Sequence, residues 1–200
     1  EEQQGGKGDN GAGGKEAPGG KGKPLIDLLG RWYKHNLESV KKEKAIIHEV
    51  FQPDAEKIVD KLIHRLFQQN VQAYLAAILH ASGKDKAMEG LRASSSAADG
   101  GRQVESFLRN VASAFQKTRE LAAGLQTIGC GGIDVAGQVN ELFSEHLETY
   151  PQIEFDLLEV AFLSQKVKYK GEDLCYDIID AYFLSAKEAI SRCMLLCTEQ

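Results

Sequence analysis

Apolar side chains recur at helical spacing along almost the whole chain after residue 24, and no segment alternates as a strand would. A first helix is predicted over 25–51, with Leu29, Trp32, Leu37, Val40, Ile47 and Val50 on one side. Pro53 then separates it from a second helix that ends near Ala81. This second helix carries apolar doublets every four residues, at 58/59, 62/63, 66/67, 74/75 and 78/79. Its wide stripe predicts neighbours on more than one side.

The C-terminal half continues in helices separated by glycine and proline. A helix is predicted over 103–127, ending at the turn Gly129-Cys130-Gly131-Gly132. The next runs over 133–149 and is closed or kinked at Tyr150-Pro151, followed by a stretch to about residue 169. A last helix over 172–197 carries a stripe comprising Leu174, Ile178, Tyr182, Ala186, Ala189, Ile190, Cys193, Met194 and Cys197.

These elements predict an all-α fold, an elongated bundle or stack of long amphipathic antiparallel helices. Residues 1–24 hold nine of the 20 glycines and are expected to form a disordered leader, and the Gly/Ser-rich 82–102 a flexible insert. We expect 25–81 to form a helical pair and 103–200 a bundle that continues the same rod. Because the last helix is still apolar where the sequence ends, we expect the rod to be truncated there.

Composition narrows the class of function. The net charge is −5 and the pI about 5.6, so the chain lacks the basic footprint of a nucleic-acid-binding protein. Its densest basic cluster, Lys41-Lys42-Glu43-Lys44, is interrupted by an acid and is interpreted as a solvated helix face. The longest apolar run, residues 74–79, is far shorter than the ~18 residues of a transmembrane helix, so no transmembrane segment is predicted.

Reactive residues form no convincing constellation. Cys175, Cys193 and Cys197 lie in phase with the last apolar stripe, which predicts reduced structural cysteines and a cytosolic protein. Cys193 and Cys197 show the only metal-like spacing, and Cys130 is the best candidate nucleophile, with His146 the nearest base in the sequence. We therefore assign no catalytic, cofactor-binding or metal-binding residues and expect no cofactor.

The order of several short segments resembles the Sec-ten family, component five of the exocyst. The first group comprises Val50-Phe51-Gln52-Pro53, Val59, Leu62, Arg65, Phe67-Gln68-Gln69-Asn70-Val71 and Tyr74. The second comprises Thr118, Leu121, Leu125, Gly129, Leu142-Phe143, Leu147-Glu148-Thr149-Tyr150 and Glu154, and the third is the run from Ala189 to Leu196. The Gly-rich leader and the 82–102 insert depart from this pattern.

The resemblance implies a non-enzymatic, peripheral cytoplasmic subunit that tethers secretory vesicles to the plasma membrane at sites of exocytosis. Its partners would be other exocyst subunits, bound through helices, and its association with vesicle and plasma membrane would be indirect. An unrelated helical adaptor or repeat-type scaffold fits the long helices equally well, and an enzyme using Cys130 is a third hypothesis. The residues leave the partner subunit and the contacting face open.

Overall fold

The computed structural model describes residues 25–81, 89, 97–129, 132–168 and 175–196. Its elements are α1 (Leu25–Val50), α2 (Ala55–Arg65), a π-helical segment (Leu66–Val71), α3 (Gln72–Ala81), α4 (Ala97–Ile128), α5 (Val135–Lys168) and α6 (Cys175–Leu196). The described residues contain no strand. The predicted all-α helical bundle is thus confirmed.

Helix α4 lies at the centre of the bundle, with α1, α3, α5 and α6 packed against it. Its inward side chains are almost fully buried and include Val104, Leu108, Val111, Phe115, Thr118 and Leu125. The helix begins at Ala97, six residues before the predicted start and inside the predicted insert. Gly101 is a poor helix former, but Val104, one turn further along, is fully buried in the bundle, so tertiary packing favours the helix there. Residues 82–88 and 90–96 lie outside the described part.

Successive helices run in opposite directions, as predicted. Between α4 and α5, the ring of Phe115 meets that of Phe143 edge-on at 5.2 Å, and the Tyr150 hydroxyl donates to the Leu108 carbonyl oxygen at 3.2 Å. Between α1 and the second helix, the Trp32 and Tyr74 rings stack at 5.0 Å. The alternation makes α1 and α4, the first and third helices of the series, run parallel.

The second predicted helix is continuous but contains a π-helical segment that was not predicted. The buried residues Val59, Ile63, Phe67, Val71, Leu75 and Leu79 follow one another at intervals of four. In an ideal α-helix each such step turns about 40° too far, so the stripe would leave the core within a few turns. A π turn takes up more residues per turn and brings the later members back to the buried side.

Of the two alternatives predicted at Tyr150-Pro151, a helix end is wrong, because α5 runs through Pro151 as one 34-residue helix. Proline removes one backbone hydrogen bond, which normally favours a helix end. Here Tyr150, Ile153 and Glu154, on both sides of the proline, are buried against neighbouring helices. Tertiary packing therefore outweighs the local cost.

Lys44 departs from the predicted solvated face. Its side chain is only 18% exposed, and its Nζ donates to the carbonyl oxygens of Ile128 and Gly129, both at 2.9 Å. These oxygens close the C-terminus of α4, where Gly129 adopts a positive φ of 90°. A cation placed there interacts favourably with the negative end of the helix dipole. Lys41 and Lys42 are exposed, as predicted.

Candidate protein-interaction site

Large exposed apolar side chains are concentrated at the C-terminal end of the described chain. Nine of the thirteen such side chains lie on α6 or on the second half of α5. Six of them define what we call the α5–α6 face: Phe155, Phe162, Ile179, Phe183, Ile190 and Met194. The doublets of the second helix are buried or half-buried, and this helix contacts both α1 and α4, in agreement with the expected neighbours on more than one side.

Helix α6 has an apolar stripe wider than the bundle covers. Ile178, Tyr182, Ala189 and Cys193 turn towards α4 and α5 and are buried or half-buried. Beside them, Ile179, Phe183, Ile190 and Met194 recur at four- and seven-residue spacing and are 41, 65, 61 and 69% exposed. The predicted stripe placed Ile190 and Met194 together with Ala189 and Cys193. All four lie on neighbouring sides of one helix, but the bundle covers only Ala189 and Cys193 and leaves Ile190 and Met194 exposed.

Two contacts fix α5 and α6 side by side in antiparallel register. Arg192 of α6 pairs with Glu154 of α5, and eight residues further along α5 the Phe162 ring meets the Tyr182 ring edge-on at 5.4 Å. Tyr182 in turn lies 6.4 Å from the Phe183 ring. The exposed phenylalanines of α5 and the exposed stripe of α6 consequently border one another along the same side of the molecule.

The Glu154–Arg192 pair is buried in the packed part of this helix pair. Arg192 donates from Nε to one carboxylate oxygen and from Nη2 to the other, both at 2.8 Å. Its hydrogen bond to Glu154 is the main cause that raises the pKa of Arg192, so the guanidinium stays charged. Glu105 of α4 lies 3.9 Å from Arg192 Nη1. Such a bidentate pair sets how α6 is rotated, and thus which stripe it leaves exposed.

Two buried tyrosines also hold the core, Tyr33 between α1 and α4 and Tyr150 beside the Glu154–Arg192 pair. The Thr118 hydroxyl donates to the Ala114 carbonyl oxygen, so the Tyr33 hydroxyl donates to Thr118 Oγ1, at 2.8 Å. Burial raises the pKa of Tyr33 and of Tyr150 well above the ordinary value, because the phenolate would lose its hydration. Both tyrosines are neutral structural groups at physiological pH.

A crevice of about 1140 Å³ lies between α2 and the start of α5. Gln138 Nε2 lies 3.2 Å from His64 Nδ1 at its edge. Asp60 and Asp134 line it together with Lys61 and Arg65, so its charge is mixed. Nothing in this lining selects one class of ligand.

Among the reactive residues singled out from the sequence, the structure describes the side chains of Cys193 and His146. Cys130 and Cys197 lie outside the described residues, and no side-chain position is described for Cys175. Cys193 is half-buried among the core residues, and His146 lies beside Phe107. Within the described ranges, no three potential metal ligands cluster and no helix is long and apolar enough to span a membrane.

Comparison with known proteins places the bundle in a family. The family model described as exocyst complex component Sec10-like, alpha-helical bundle, matches residues 24–173. The chain belongs to this exocyst family. Exocyst complex component SEC10a and SEC10b of Arabidopsis thaliana are each 32% identical over 146 residues, 73% of this chain and 16% of the relative.

Exocyst complex component 5 of Oryza sativa subsp. japonica is 25% identical over 211 residues, which cover 93% of this chain and 25% of that protein. The chain thus spans a sixth to a quarter of the length of these relatives. No solved structure matches it. The family-model match ends before α6, so the α5–α6 face combines residues inside the match with residues beyond it.

Membership in this family replaces the hypothesis of an unrelated adaptor. It confirms the resemblance found in the sequence, including its span from the first helix into α5. The sequence did not indicate the α5–α6 face, because a helical stripe identifies apolar residues without showing which of them a neighbour covers. In the sequence, the additional apolar side chains that the structure leaves exposed were visible only as a wide apolar stripe on the last helix.

Proposed function

We propose that the protein is a non-enzymatic subunit of the exocyst that helps to tether secretory vesicles to the plasma membrane. It would act in the cytoplasm, at sites of exocytosis, through contacts between its helices and other subunits. Its association with the two membranes would be indirect. The exocyst relatives support the assembly, and the exposed α5–α6 face is the observation that supports docking through helices.

Removing a cluster of large apolar side chains from water is favourable in free energy. Each fully buried Phe, Ile or Met contributes about 1.5–3 kcal/mol relative to an exposed one. Monomeric soluble proteins rarely keep large contiguous apolar patches uncovered. A rigid helix pair, its register held by Glu154 and Arg192, is well suited to present such a patch to a partner.

We also propose that the helical pair 25–81 and the bundle 103–200 act as one rigid segment of a longer rod. The contacts of α1 and α3 with the central helix α4 support this proposal. A scaffold of this kind needs no catalytic residue, metal or cofactor.

The test is affinity purification of the tagged full-length protein from cells, with quantitative detection of the other exocyst subunits. We expect these subunits to be recovered, and depletion of the protein to leave secretory vesicles undocked beneath the plasma membrane. Recovery of no other exocyst subunit would contradict the proposal. A parallel purification of an unrelated helical protein with the same tag provides the background.

A further inference from the structure

We draw no further inference here: the strongest candidate, the exposed apolar α5–α6 face, carries none because nothing in the structure shows whether another subunit, a later segment of the same polypeptide or a second copy of the chain covers it.

Discussion

The Glu154–Arg192 pair offers the sharpest test of how α6 is held. Both residues are almost fully buried, at 4% and 7% exposure, and two 2.8 Å hydrogen bonds join them. Arg192→Met removes the guanidinium and leaves a buried carboxylate without its partner. Breaking one side of such a pair typically costs about 3–5 kcal/mol, because the remaining charge keeps its desolvation penalty. For a domain of this size that corresponds to about 6–20 °C in Tm.

A double variant separates the cost of leaving one buried charge without a partner from the net contribution of the ion pair to stability. In Glu154→Met/Arg192→Met both charges are gone, and apolar side chains of similar length remain. Because a buried pair can often be replaced by apolar groups at little cost, we expect the double variant to be more stable than Arg192→Met alone. Lys187→Met, an exposed position on the same helix, should change stability by less than about 0.5 kcal/mol.

The assay is urea unfolding followed by circular dichroism, with the free energy of unfolding extrapolated to water for all four proteins. A cost below about 1 kcal/mol for Arg192→Met would refute the reasoning, since it would mean that the carboxylate reaches water when its partner is removed. A double variant less stable than the single one would refute the claim that desolvation dominates. Far-UV spectra establish that each variant is helical before unfolding.

Three further predictions use the same unfolding assay. Phe115→Ala should cost about 3–5 kcal/mol because its ring is fully buried, whereas Phe155→Ala, at an exposed position, should cost less than about 1; equal costs would contradict the burial pattern. Lys44→Met should cost about 1 kcal/mol through loss of its two bonds to the end of α4, and an unchanged midpoint would contradict this capping role. Burial raises the pKa of Tyr33 and Tyr150, so the contribution of these two tyrosines to stability should be constant below about pH 10 and be lost above it, as the unfolded tyrosines ionise first; Tyr33→Phe should make the fall in stability above about pH 10 shallower, and an unchanged slope would contradict its burial.

The helical periodicity of apolar residues was sufficient to predict most of the helices of the fold. The predicted C-terminal ends of the first helix and of the helix before Gly129 agree with the structure to within one residue, because an apolar stripe followed by proline or glycine leaves few alternatives. Local signals were misleading where tertiary packing opposes them. Pro151 and Gly101 lie inside long helices whose flanking residues are held by neighbours, and no single-residue propensity contains that information.

The π-helical segment was missed for a different reason, since the sequence did contain a signal for it. A strict four-residue repeat from Val59 to Leu79 cannot stay on one side of an ideal α-helix. The drift, summed over five steps, exceeds half a turn, so a change of helical geometry was required if all members were to be buried. The repeat was interpreted instead as a wide stripe with neighbours on more than one side; the contacts of this helix with α1 and α4 agree with that expectation, but the π segment was not predicted.

The same ambiguity between a wide stripe and an additional surface explains why the candidate site was missed. On the second helix the extra width is absorbed by the π segment and the side chains are covered; on α6 the described helix is regular and the extra width remains in water. Sequence alone cannot separate these cases, because Ile63 and Ile190 are equally apolar, yet one is fully buried and the other 61% exposed. The difference lies in which side of each helix its neighbours cover. On α6 that side is set by Arg192, whose two hydrogen bonds to Glu154 fix the rotation of the helix about its axis.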